Sequence, residues 1–125
     1  MPENSPNTDT LNRVVEALNK RRPESTAGYL SDHCTLDSSR GPYPYGQRFV
    51  GKEAVLGALA AFFDRVPDAQ FKDPQILIAH DRGFVLSNVI GTSRSGERLD
   101  AQSCDIYEFL DDQIVRIDSY WKHSI

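Results

Sequence analysis

The chain has 125 residues, 39% of them hydrophobic and 26% charged, with a formal net charge of −4. A chain of this length makes one domain that buries roughly two-thirds of its unfolded surface, enough for a core and a small cavity. The densest cationic pair, Arg21-Arg22, is no face for nucleic-acid phosphates, and the longest uncharged apolar run, the ten residues Ala54 to Phe63, is half of a membrane span of about twenty.

Met1-Pro-Glu-Asn-Ser-Pro-Asn7 carries no apolar stretch of the kind a signal peptide needs. Residues 1–9 are expected to form a flexible leader, and 10–125 a single domain. Leu11, Val14, Val15 and Leu18 fall at i, i+3, i+4 and i+7, which predicts an amphipathic helix capped by Asp9 or Thr10. Lys20-Arg21-Arg22 suits the negative end of its dipole, and Pro23 stops it. A short second helix follows at about Glu24 to Leu30, then a short strand at His33 to Ser38. Ser39 to Gln47 holds two prolines and two glycines and reads as a loop. Its Tyr43 and Tyr45 either pack over a cavity mouth or seal an edge of the core. Lys52 to about Arg65 is the strongest helix, with Val55, Leu59, Phe62 and Val66 as its stripe, Leu56 and Phe63 widening it, and Pro67 ending it. Phe71 to Ala79, Phe84 to Ser93, Leu99 to Leu110 and Ile114 to Trp121 are β-rich. The turns His80 to Gly83, Arg94 to Gly96 and Asp111 to Gln113 are short enough to force antiparallel hairpins. Helices segregated beside an antiparallel sheet make an α+β fold.

Asp105 stands out in this pattern. Alternation puts it on one strand face with Tyr107 and Phe109, while Cys104, Ile106 and Leu110 take the other. A carboxylate among aromatics, on a strand apolar on both faces, is partly buried, and burial costs several kcal/mol unless it is hydrogen-bonded, paired or protonated. In the last strand, Val115, Ile117, Ser119 and Trp121 share one face, and Ile114 and Tyr120 the other. The helices cover one face of such a sheet. A second copy of the chain is the simplest cover for the other, so a homodimer through the outer sheet face is expected. Cys34 and Cys104, set in apolar patterns, are expected as free buried thiols, which points to a reducing, cytoplasmic location.

Several strings carry a wider likeness: Phe49-Val-Gly-Lys-Glu-Ala-Val55 opening the long helix, Phe62-Phe63 near its end, Gly91-Thr92 ahead of the Gly96 turn, and Asp112-Gln-Ile-Val-Arg-Ile-Asp118 leading into Tyr120-Trp121. Together with the element order they resemble the nuclear-transport-factor-2-like superfamily, in its SnoaL-like and ketosteroid-isomerase-like branch, over about Thr10 to Trp121. The resemblance implies a cone: a curved antiparallel sheet wrapped around the helices, open at one end, with a deep and mostly apolar pocket. The branch includes isomerases, aldol-type cyclases, epoxide hydrolases, dehydratases and non-catalytic binding subunits. Laid on the ketosteroid isomerases, Val14 takes the place of the oxyanion-hole tyrosine, Ser38 that of the general-base aspartate, and Asp105 that of the protonated aspartate. One of three catalytic groups is retained. Serine cannot take a proton from a carbon acid, so steroid isomerisation by that route is not expected. Asp37 would replace the base only if a bulge turned it inward.

Asp105 keeps three readings: an acid or base with a raised pKa, a hydrogen-bond anchor for a ligand, or a structural carboxylate tied to Tyr45, Trp121 or a loop amide. The expected pocket lining is Val14, Leu18, Tyr29, Ser38, Tyr45, Phe63, Asn88, Tyr107, Ser119 and Trp121. Asn88 offers its amide to a ligand oxygen or makes a cross-strand bond. Trp121 lines the cavity or packs in the core, and its indole N–H needs a partner such as Asp105. His33 opens a strand near the pocket rim, whereas His80 and His123 are expected in solvent. None of the three has metal-ligand spacing, and no Gly-rich phosphate loop or nucleophile elbow is present, so no metal or other cofactor is expected. Arg116 and Asp118 should form an ordinary ion pair on the outer face, with Asp118 a second candidate acid. Three functions fit: a cofactor-independent acid/base enzyme acting through Asp105 on the carbonyl, enol or epoxide oxygen of a small apolar substrate; a non-catalytic binder of a small apolar ligand; or a dimeric interaction module. The branch favours the enzyme, of isomerase, cyclase, dehydratase or epoxide-hydrolase type.

Overall fold

The computed structural model describes residues 6–123. Helix α1 (Pro6–Asn19) is followed by a 3₁₀ helix (Pro23–Tyr29), β1 (Leu30–Asp37), β2 (Arg48–Val50), α2 (Lys52–Arg65), β3 (Gln70–Ala79), β4 (Arg82–Thr92), β5 (Arg98–Leu110) and β6 (Gln113–His123). α1 starts at Pro6, upstream of the expected cap at Asp9 or Thr10. Proline suits a first helical turn because its φ is preset and no N–H is left unpaired there. Residues 1–5 of the expected leader lie outside the described residues.

α1 buries Leu11, Val14, Val15, Ala17 and Leu18. Beyond Asn19 the backbone turns left-handed at Arg21 (φ 56°), and the N–H groups of Arg21 and Arg22 bond back to Leu18 and Ala17 at 2.9 and 3.0 Å. Asn19 then clamps the helix end to the sheet. Its side-chain amide donates to the Phe71 carbonyl at 3.1 Å, and its Oδ1 accepts the Phe71 N–H at 2.7 Å. The segment expected as a second helix winds as 3₁₀, opened by Pro23 and held by the Thr26 hydroxyl on the Pro23 carbonyl at 2.6 Å.

The six strands form one curved, unclosed sheet in the order β2-β1-β6-β5-β4-β3. β3 to β6 make the expected antiparallel meander. β1 runs parallel to β6, so the sheet is mixed rather than wholly antiparallel. β2 is an additional short edge strand, antiparallel to the end of β1. α1 packs on β3 and β4, and α2 on β1 and β2. Glu108 pairs with Arg116, but Phe109 pairs with Ile114, which leaves Val115 as an extra residue. This bulge reverses the phase of β6, so Ile114 turns into the core and is fully buried, where simple alternation sends it outward.

The inner sheet face carries Val85, Ser87 and Val89 from β4 and Ala101, Ser103, Asp105, Tyr107 and Phe109 from β5, all buried. The outer face leaves Leu77, Leu86, Leu110 and Tyr120 exposed. Cys34 is fully buried, whereas Cys104, expected to be buried, is only half-buried on the outer face; both are free. Among the described residues, no helix is long and apolar enough to cross a membrane.

Candidate functional site

The helices and the inner sheet face enclose an open cavity of about 1060 Å³, at the upper end of the range of ligand pockets. Leu18 of α1, Phe62 and Phe63 of α2, and Leu36, Phe71 and Ile117 of the sheet supply apolar wall. Asp105, Tyr107, Ser119 and Trp121 supply a polar strip on that wall.

Strand register builds the strip. Asp105 pairs with Ser119, and Ser103 with Trp121, so the indole reaches back along β6 towards the acid. Trp121 Nε1–H donates to Asp105 Oδ1 at 3.0 Å. Phe62 and Phe71 meet the indole nearly edge-on, at 5.4 and 6.0 Å between centroids and 89° and 80° between planes. These contacts fix the ring and so the direction of its N–H. Asp105 is only 7% exposed. Burial pushes its carboxyl up to about 6, against the Trp121 and Ser119 hydrogen bonds that favour its charge. Tyr107, two residues along, has its hydroxyl pushed far above the usual range by burial and by the neighbouring Asp105 charge, so it stays a neutral donor. Beside them Ser87 and Ser103 bond each other at 2.8 Å.

Val14, Leu18, Ser38, Phe63, Tyr107, Ser119 and Trp121 all face the same cavity as Asp105. Tyr29, Tyr45 and Asn88 do not. Leu30 opens β1 with its side chain on the cavity, and Tyr29 instead packs against the core beside it. Tyr45 lies on the other side of the sheet. There it stacks on Tyr43 at 5.2 Å and covers the Arg48 guanidinium at 4.4 Å, lining a separate outer groove. Asn88 is exposed because Ser87 and Val89 take the inward phase of β4. His33 and His80 are exposed, and His33 does not reach the rim. His123, expected in solvent, lines the cavity with its ring 6.1 Å from Trp121. Its phase is readable in hindsight: Ser119, Trp121 and His123 alternate along β6.

Asp37 points away from the cavity, since Leu36 and Ser38 on either side line it. It is fully buried all the same. Arg48 grips it bidentately at 2.7 and 3.0 Å, and Arg116 adds a contact at 3.0 Å. These guanidiniums, the Arg48 bond first, hold its carboxyl below the usual range. Arg116 also reaches Glu108 at 3.2 Å and Asp118 at 3.3 Å, so the expected Arg116–Asp118 pair is one edge of a larger outer-face network. Both Asp37 and Asp118 are thereby committed to arginines outside the cavity. Among the described residues, no three His, Cys, Asp or Glu gather as a metal set.

A known family model, the SnoaL-like domain, matches residues 11–117. Comparison with curated proteins finds no match. Among solved structures, a candidate SnoaL-like polyketide cyclase from Jannaschia sp. CCS1 superposes with a TM-score of 0.82 at 14% identity, covering 98% of this chain and 89% of its own. An NTF2-like protein of unknown function from Burkholderia pseudomallei K96243 gives 0.82 at 17% identity over 94% and 92%. TerC, co-crystallized with polyporic acid, gives 0.79 at 16% identity over 94% and 92%. At such identities the structural likeness carries the fold and not the reaction.

Proposed function

Because the chain belongs to the SnoaL-like family, we propose that it is a cofactor-independent acid/base enzyme acting on a small, largely apolar substrate with a carbonyl, enol or epoxide oxygen. One observation carries this reading: a single carboxyl, Asp105, is buried in the wall of the cavity with its pKa raised to about 6. A general base works best with a pKa close to the operating pH. Near neutrality Asp105 is mostly ionised yet readily protonated, so it takes a proton from the carbon α to a substrate carbonyl and returns it elsewhere. Tyr107 holds its own proton throughout and offers it as a hydrogen bond to the oxygen where charge develops. The Trp121 indole keeps the carboxyl aimed. The absence of a base at Ser38 and of a phenol at Val14 argues for a different proton route from that of the ketosteroid isomerases.

A binding-only reading is favoured by one feature, the Trp121 and Ser119 hydrogen bonds that already occupy the carboxyl and favour its charged form. TerC's co-crystallization with a small molecule supports a ligand site under either reading. The protein is also proposed to act as a homodimer through the outer sheet face, in a reducing compartment that suits two free thiols.

The experiment is exchange of the α-protons of 2-tetralone with deuterated water, followed by NMR. The native protein is expected to accelerate exchange, and Asp105→Asn to lose at least about a hundredfold of that rate while binding the ketone comparably. Binding without any acceleration would leave the binder reading in its place.

A further inference from the structure

We propose that the cavity takes an amphiphilic acid, its apolar body against Phe62 and Trp121 and its carboxylate at the mouth, held by Arg40 beside His123. This rests on the reading of the Asp105 cavity as a ligand site, and it specifies the far end of that ligand.

A line of groups runs along one wall. Asp105 bonds Trp121 at 3.0 Å, and the Trp121 ring lies 6.1 Å from that of His123. Arg40, on the segment that leaves β1, lines the same cavity and is close enough for its charge to act on His123. The mouth also carries Asp64 and Arg65 of α2, and Arg94, Glu97, Arg98 and Asp100 around the β4–β5 turn. These charges are not equally available. Arg94 is engaged by Asp64, and Glu97 accepts the Ser95 hydroxyl at 3.5 Å. Among the described residues, Arg40, Arg65 and Arg98 take part in no ion pair, and of the three Arg40 is the one whose charge acts on His123.

The polarity of this line orients a ligand. A carboxylate directed at Asp105 would meet a second acid in a dry wall, where like charges disfavour each other strongly. The same carboxylate at Arg40 meets a planar guanidinium that can bind it bidentately. His123 reports on the event. Burial, and then the Arg40 charge, hold its imidazole below the usual range. An anion between the two reverses the second of these effects.

The test uses a matched pair of aryl ketones, 4-(2-naphthyl)-4-oxobutanoate and its methyl ester, titrated into the native protein, Arg40→Ala and Arg40→Lys. The acid is expected to bind native protein about tenfold tighter than the ester. Arg40→Ala should remove most of that advantage while leaving the ester unchanged, and Arg40→Lys should restore part of it. The acid, but not the ester, should raise the His123 pKa read by NMR. Equal binding of acid and ester, or an Arg40→Ala loss shared by both, would overturn the inference while leaving the pocket in place. If neither ketone binds, the ligand site itself is refuted, and the inference falls with it.

Discussion

Asp105 and Asp37 are both buried carboxyls, and their environments push them in opposite directions. Asp37 faces two guanidiniums, so its contribution to stability is present at neutral pH and fades as pH falls through its lowered native value. Among the described residues, no cation pairs with Asp105. Burial raises its pKa from the ordinary carboxylate value of 3.8 to about 6, so its contribution is complete below about 3.8 and is lost as pH climbs through 6. The full difference is about 3 kcal/mol, of which about 1 kcal/mol falls between pH 5 and pH 8. Asp105→Asn keeps an acceptor for Trp121 and cannot ionise. The native protein should therefore lose about 1 kcal/mol more stability than Asp105→Asn between pH 5 and pH 8 in urea denaturation. Parallel pH profiles would mean that the native carboxyl is not raised. Asp105 could be singled out in the sequence because its aromatic flanks are local. The burial of Asp37 could not, because one of its arginines lies 79 residues away.

At the scale of elements, the segment from Ser38 to Gln47 separates the cavity from the outer groove. Ser38 N–H bonds the Gln47 carbonyl at 2.9 Å, and Gln47 N–H bonds the Ser38 hydroxyl at 3.2 Å. Gly46 closes this arch with φ +81°, and a Cβ there would lie 1.8 Å from the Ser38 carbonyl oxygen. Both the conformation and the space demand glycine. Gly46→Ala should cost about 2 kcal/mol or more and shift the NMR signals of Tyr45 and Arg48 as their stacking is lost. A variant as stable as the native protein would show that the arch is not what holds the loop. Two prolines and two glycines mark this stretch as a loop in the sequence. Its course over the outer face follows from the pairing of β2 with β1, which three residues of Arg48–Val50 do not advertise.

At the scale of the molecule, the outer sheet face combines exposed Leu77, Leu86, Leu110 and Tyr120 with the arginine–carboxylate network. An apolar surface rimmed by charge in this way suits a partner. A dimer of the 14.0 kDa chain should be seen by sedimentation at micromolar concentration, and Leu86→Glu combined with Tyr120→Glu should yield monomers that still bind the aryl ketone probes. A native protein that sediments as a monomer would remove the proposed interface.

The amino-acid sequence by itself determined the helices, the four-strand meander and the inward phase of Asp105, Tyr107, Ser119 and Trp121, because helical and strand periods are carried by near neighbours. Only the tertiary structure decided the rest. The parallel pairing of β1 with β6, the bulge at Val115 that turns Ile114 inward, the outward turn of Asn88 and the capture of Tyr45 by Arg48 all depend on register between distant strands. No local period encodes that register; it is selected when the faces pack.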